Sequence, residues 1–553
     1  LGRTTLAIPI TAPASGTPEI TVTLTTPDGK VLTKTLGLPI RANDPEIART
    51  ARVELGNGDV FTLNNEVFAG MVPGTGRATL AVGPIARFDA PGLLSALDRY
   101  PYGCTEQITS KALPLLYFEQ MAEAMGLNAS KTAAARVEQA IIEVLSNQSS
   151  DGGFGLWSPV SGDLWLDSYV SDFLSRARAK GYTVPAQAFQ LAMDNLRNKV
   201  NYAADFENGG EDIAYALMVL AREGAANIGD LRYYADTKAD QFGSPLAMAQ
   251  LGAALAFYGD QARADFMFRF ASSRLDRSLA KAEDQVWRID YGTNLRDSAA
   301  ILTLAVEAGS KVIDQAALAG RIAPEATTHR GRSTQENMWS LMAANALIED
   351  IAPDAFLING EPAGGPLVQV LDAQTGSDRT VEVLNQSGKS ATTVLTTFGI
   401  PADPEPASGN GYAINRFYFT MDGKQITPDH VALNDRMVVL IKVSPDRYSE
   451  ARLIVNDPLP AGFEIDIPSL VKSGDVAVLD WLQLNAEPKH AEFRAERFVA
   501  AVDWSSKEPF QLAYIVRAIS PGKFHHPAAS VEDMYRPQFR ARTGVGVVEV
   551  AAK

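Results

Sequence analysis

Residues 99–118 read RYPYGCTEQITSKALPLLYF and hold the only cysteine of the chain, Cys104, three positions before Gln107. On the first turn of a helix an i, i+3 pair shares one face and its side chains touch. A cysteine sulfur and a glutamine side-chain carbonyl at that spacing can close a thiolactone ring with loss of ammonia. Such an internal thioester is an activated acyl group that needs no bound cofactor, because a thiolate leaves far more readily than an amine. The competing reading is an inert buried thiol, the usual fate of a lone cysteine. Glu106 reads either as a local base or as a first-turn carboxylate favoured by the helix dipole, and we take the second.

Other chemistries have little to stand on. A single cysteine excludes intrachain disulfides and four-cysteine zinc sites, and His329, His430, His490, His525 and His526 form no HExxH or similar ligand pair. We therefore expect no metal and no cofactor. The 50 Lys+Arg against 65 Asp+Glu leave a net charge of −15 with no basic run to offset it, which argues against a nucleic-acid partner. With 46% hydrophobic and 21% charged residues, the composition is that of folded globular domains. No apolar window of eighteen residues and no signal-peptide layout is present. The first residue is Leu1, inside a strand-like run, so we expect a mature or truncated piece of a longer protein.

These residues need elements to hold them, and at 553 residues the chain has room for three or four domains. Residues 1–88 alternate in the manner of strands, with hairpin-type turn signals at Pro27-Asp28-Gly29 and Gly56-Asn57-Gly58. From about 90 to 350 the apolar period is helical, and stretches end at Gly181, Gly224, Gly259 and Gly309 as at helix C-caps. That spacing suits repeated helical hairpins, as in a solenoid or a closed α/α toroid. After about 355 strand patterns return, with the Pro-rich stretch 401–411 as a linker. Either the helical block is inserted into one β domain, or two unrelated β domains flank it.

The motif CTEQ preceded by YPYG resembles the thioester segment of the alpha-2-macroglobulin and complement family, in the form of its bacterial branch. DGGFGLWSP (151–159), DLWLDSYVSDFLSRARAKGY (163–182), YGTNLRDSAAILTL (291–304), STQENMWSLMA (333–343) and AYIVRAISPGKFHHPAASVEDMYRPQFRART (513–543) are similar to further parts of that family. The resemblance implies a multidomain β and α fold. Residues 1–42 would end a macroglobulin-like β-sandwich, and 43–88 with 355–404 would be two halves of a CUB domain. Residues 89–354 would be the inserted α/α toroid thioester domain, and 405–553 a C-terminal macroglobulin-like β-sandwich.

The same resemblance implies the C-terminal part of a broad-spectrum protease inhibitor, not an enzyme. Its Cys104–Gln107 thioester would acylate a lysine of a target protease after bait cleavage upstream. Tyr100 and Tyr102, with Met534 and Tyr535 from the terminal domain, would shield the bond. Expected with it are a monomer in the periplasm or cell envelope and, in the full-length protein, an N-terminal lipid anchor on the inner membrane. The alternatives are a covalent thioester adhesin or tether and a terpene-cyclase-like toroid enzyme, although no DDxxD or His/Cys/Asp cluster supports the latter. Complement-type relatives that esterify hydroxyls carry a toroid histidine a little over a hundred residues after the cysteine. Here residues 201–224 hold none, and the only histidine of the helical block is His329, so amines are the expected acceptors. Trp157 and Trp165 read as toroid packing, and His525-His526 as a surface pair.

Overall fold

In the computed structural model of the chain, the structure describes residues 16–125, 132–280, 287–324, 331–347, 355–363, 367–373, 379–467 and 474–552. His329 lies outside them. The strands Glu19–Thr25 and Val31–Gly37 form an antiparallel hairpin with Thr25 opposite Val31, closed by Gly29 at φ +81. Only a residue without Cβ takes that left-handed turn conformation freely.

The next β unit is built from both sides of the helical block. One sheet runs in the order Ile47–Leu55, Ala391–Gly399, Arg77–Val82, Leu367–Asp372, and the other Val60–Leu63, Val381–Asn385, Phe356–Ile358, Glu361–Pro362. Leu63, Leu80, Phe356, Leu371 and Val383 fill the space between them. The helices therefore sit inside one β domain, between strands that pair with each other. Gly56-Asn57-Gly58 does not close a hairpin, contrary to the sequence expectation: the strands on either side of it belong to different sheets. Turn residues specify a change of direction, not which sheet receives the next strand.

The helices close a ring. Thr105–Ala112 packs on Leu164–Ala179, and Glu211–Arg222, Pro245–Phe257, Asn294–Glu307 and Thr334–Ala346 follow in turn, the last returning to Thr105–Ala112. Ala133–Ser146, Ala186–Asn201, Ile228–Thr237, Gln261–Ala280 and Gln315–Ile322 pack around the outside. Inner helices are buried along nearly their whole length: Pro245–Phe257 is apolar almost all round, while the others bury polar groups in pairs such as Asp172 with Arg176, Asp297 with Arg296 and Glu336 with Thr293. Gly181, Gly224, Gly259 and Gly309 all lie at φ between +65 and +90, as C-terminal caps in the left-handed region.

The terminal domain is a sandwich of a six-stranded and a five-stranded sheet around Val439, Ile441, Leu453, Val455, Leu512 and Tyr514. The end of the expected linker is itself a strand: Ser408–Asn410 pairs with Arg540–Arg542 at the sheet edge, where no proline interrupts the ladder. His526 is not on the surface. It is buried against the Tyr418 hydroxyl at 2.8 Å, and burial holds its pKa down at about 2, so the ring is neutral; His525 beside it is exposed and pairs with Asp44.

The loop from Asn147 to Gly162 ties the outer and inner layers together. Gly152 sits at φ +91, and a Cβ there would lie 2.1 Å from the carbonyl oxygen of Leu191. Gly152→Ala combines backbone strain with a backbone clash, so we expect a loss of about 2–4 kcal/mol. Thermal unfolding should read this as a melting temperature lowered by at least a few degrees. An unchanged melting temperature would contradict the role given to this loop.

Candidate functional site

Cys104 is the N-cap of Thr105–Ala112, extended at φ −70 and ψ 164, and it is fully buried. Its backbone N–H donates to Gln107 Oε1 at 3.0 Å, which folds the carboxamide back over the first turn toward the cysteine. An N-cap residue and the third helical residue form such a reciprocal arrangement naturally, the residue types here being Cys and Gln in place of the usual Ser and Glu. Thr105 anchors this end of the helix. Its N–H donates to the Leu156 carbonyl at 2.9 Å and its hydroxyl to the Gly155 carbonyl at 2.6 Å.

The four aromatic and sulfur side chains named from the resemblance all come to this turn. Gln107 Nε2, the nitrogen that ring closure would expel, donates to the Tyr100 hydroxyl at 3.4 Å and approaches Met534 Sδ at 3.5 Å. Tyr102 packs edge-on against Tyr100, ring centroids 5.4 Å apart. The Tyr535 hydroxyl donates to Glu106 Oε2 at 3.2 Å, and Tyr535 is buried close enough to Cys104 to pull its thiol pKa down against the effect of burial. Met534 and Tyr535 belong to the terminal sandwich, so the cover over the pair is assembled from two domains.

Glu106 lies in the first turn of Thr105–Ala112, as read from the sequence, and has a further set of partners. Its carboxylate is fully buried among four donors: Ser110 Oγ at 2.6 Å, Thr334 Oγ1 at 2.9 Å, Gln335 Nε2 at 2.7 Å and Tyr535. Burial raises its pKa, against the pull of those hydrogen bonds. The Cys104 thiol is pushed far up, by burial first and by Glu106 second. Such a thiol has almost no thiolate at neutral pH and is unreactive while covered.

Several supporting residues were not picked out from the sequence. Lys111 Nζ donates to the carbonyls of Tyr100 and Tyr102 at 2.6 and 2.9 Å, pinning the strand of chain that carries both rings. Its position four residues after Gln107 was the available signal. Asp533 Oδ1 accepts from the N–H groups of Tyr535 and Arg536, both at 3.1 Å, and Arg536 returns to its carboxylate at 2.6 Å, so the Met534-Tyr535 turn is rigid. Tyr291 is held at φ +56, a strained conformation for a tyrosine, and its ring meets Tyr535 edge-on at 4.5 Å while Arg452 of the terminal domain lies over it at 4.5 Å. Trp165 is core packing, but Trp157 also stacks on His490 of the terminal domain, rings 4.6 Å apart and nearly parallel. Among the described residues no group of three His, Cys, Asp or Glu is placed to hold a metal ion.

A closed ring of helices, inserted in a β domain and carrying a covered Cys-Gln pair under a terminal β-sandwich, is the layout expected of the C-terminal part of a macroglobulin. Residues 79–212 match the family described as A-macroglobulin TED domain, and residues 411–538 match the bacterial alpha-2-macroglobulin MG10 domain. The chain is 30% identical to the alpha-2-macroglobulin of Escherichia coli K12 over 98% of its own length and 34% of that protein's. It is 27% identical to that of Xylella fastidiosa Temecula1 over the same shares. Among solved structures, native E. coli alpha-2-macroglobulin from domain MG7 to the C-terminus superposes with a TM-score of 0.81 at 27% identity, covering 97% of this chain and 88% of that one. Salmonella alpha-2-macroglobulin reacted with methylamine also gives 0.81, at 28% identity over 97% of this chain and 36% of that one. This chain belongs to the bacterial alpha-2-macroglobulin family and matches its C-terminal portion. It spans about a third of the length of the curated relatives it matches.

Glu532 gives the cover a pH dependence. Burial pushes its carboxyl up to about 7 from an ordinary 4.5. A carboxyl raised in the folded state favours that state below pH 4.5, and the benefit is lost as the pH rises to 7. Glu532→Gln removes the ionisation, so its melting temperature relative to the parent should climb between pH 5 and 7 and level off above. A pH-independent difference would contradict this.

Proposed function

We propose that this chain is the reactive portion of a protease trap, in which Cys104 and Gln107 form an internal thioester that acylates a lysine amine of the captured protease. The observation that carries the reading is the Gln107 carboxamide folded back onto a fully buried Cys104 beneath a cover contributed by two domains. A thioester in water hydrolyses, so a site that uses one must be dry until its target arrives. The Salmonella relative was crystallised after reaction with methylamine, which supports amine chemistry in that protein. We read the closed helical ring as the α/α toroid and the interrupted β unit as the CUB-type domain around it. Cleavage of a bait segment elsewhere in the whole protein would withdraw the terminal sandwich and expose the bond. The reaction runs once per molecule, so this is inhibition and not turnover. By the same reading the protein works in the periplasm or cell envelope.

The test is a thiol titration. Native chain should show no thiol toward an aromatic disulfide reagent, and methylamine should release one thiol per chain. Tyr535→Ala should speed that release at least tenfold by opening the cover. One free thiol before any amine is added would overturn the thioester reading for the native state. Unchanged methylamine kinetics in Tyr535→Ala would show that the helical ring shields its own bond.

Nucleophile choice follows from the absence of histidine in residues 201–224. Without an imidazole to accept the acyl group first, a weakly nucleophilic alcohol has no route. A lysine of pKa about 10.4 is neutral in only about one molecule in a few thousand at pH 7, and its delivery beside the bond raises its effective concentration to compensate. Methylamine should therefore label the chain at millimolar concentration while glycerol does not, and His329→Ala should leave the amine rate unchanged. Equal labelling by glycerol would contradict the assignment.

A further inference from the structure

The Tyr535 hydroxyl occupies a defined spot. It donates to Glu106 Oε2 at 3.2 Å, and Met534, the residue before it, places its Sδ 3.5 Å from Gln107 Nε2. Ring closure would join the Cys104 sulfur to the carbonyl carbon of Gln107, so a nucleophile that takes the place of Tyr535 comes in beside this turn with a carboxylate oxygen within reach. An attacking nucleophile needs those two neighbours: an electrophile, and an acceptor for the proton it must lose. We propose that Tyr535 holds the nucleophile's seat, and that Glu106 is the general base for the incoming amine once Tyr535 is withdrawn. This rests on the thioester reading above.

In this step a neutral primary amine takes the vacated position with an N–H directed at Glu106 Oε2. Its lone pair forms the N–C bond to the Gln107 carbonyl carbon, the amine proton passes to Glu106 Oε2, and the C–S bond breaks with its electron pair on Cys104. Glu106 then gives the proton to the sulfur, leaving an amide and a free thiol. Ser110, Thr334 and Gln335 remain on the carboxylate throughout, so it is oriented before and after Tyr535 leaves. The titratable groups facing it are Cys104 and Tyr100 from its own segment, Tyr169 on Leu164–Ala179, and Tyr535; Tyr169 reaches it through Ser110, hydroxyls 2.7 Å apart. Burial raises the pKa of the Glu106 carboxyl, the direction that makes a carboxylate a stronger proton acceptor.

The experiment compares two nucleophiles on the full chain carrying Tyr535→Ala, so that both reach the bond without proteolysis. Methylamine must lose a proton as it attacks, whereas the thiolate of mercaptoethanol has none to lose; both reactions are followed by intact mass. Adding Glu106→Gln should slow methylamine at pH 7.5 by at least about tenfold, the low end of general-base effects, and leave mercaptoethanol exchange within about twofold. Equal slowing of both, or of neither, would overturn the assignment, because a disturbed site affects the two alike. Thr334→Val decides the matter if Glu106→Gln fails to fold or to form the ring. With one donor fewer the carboxylate titrates higher, so the methylamine-to-mercaptoethanol rate ratio should rise at a higher pH, and an unshifted profile would overturn the proposal. A Tyr535-intact chain with its full coded mass would instead remove the thioester reading, and this assignment with it.

Discussion

One buried carboxylate is shared by three pieces of this molecule. Glu106 takes hydrogen bonds from its own helix through Ser110, from the helix that closes the ring through Thr334 and Gln335, and from the terminal sandwich through Tyr535. A buried acid without partners costs several kcal/mol, so each donor is held in place by the need to satisfy it. The terminal domain is thus docked in part through a polar contact, beside the Tyr291–Tyr535, Arg452–Tyr291 and Trp157–His490 contacts. The residues that make this contact, Met534 and Tyr535, are also the ones that cover the Cys104–Gln107 turn. Docking and shielding share these atoms.

The ring explains why the site can be both buried and accessible. N-terminal residues of four inner helices meet at one end: Thr334 reaches Glu106, Thr293 reaches Glu336 at 2.8 Å, and Tyr291, just ahead of Asn294–Glu307, reaches Asp163 at the start of Leu164–Ala179. Helix N-termini gathered together favour negative charge, which suits the Glu106 carboxylate. That end of the ring is polar and needs a cover. The sandwich supplies it with Met534 and Tyr535, fixed on a turn by Asp533 and Arg536, and with Arg452 over Tyr291.

Local features were legible in the sequence. The i, i+3 spacing of Cys104 and Gln107, the turn at Pro27–Gly29 and the capping glycines of the helices each depend on residues within one turn of chain. Features made by distant segments were not. The pairing of Ile47–Leu55 with Ala391–Gly399 spans the whole helical block, and the Gly56–Gly58 turn gave no sign that its strands go to different sheets. Glu106 was read as a dipole partner because its donors Thr334 and Gln335 lie more than two hundred residues away. His526 looked like a surface residue for the same reason: Tyr418, which buries it, lies 108 positions earlier. That Met534 and Tyr535 cover this turn came from family resemblance, since no periodicity links them to Cys104.

The central claim is that Cys104 and Gln107 are joined, and intact mass tests it most directly. Ring closure expels ammonia, so the native chain should weigh about 17 Da less than its coded residues, and methylamine should then add about 31 Da and expose one thiol. A native chain at its full coded mass, with no gain on methylamine treatment, would contradict the account.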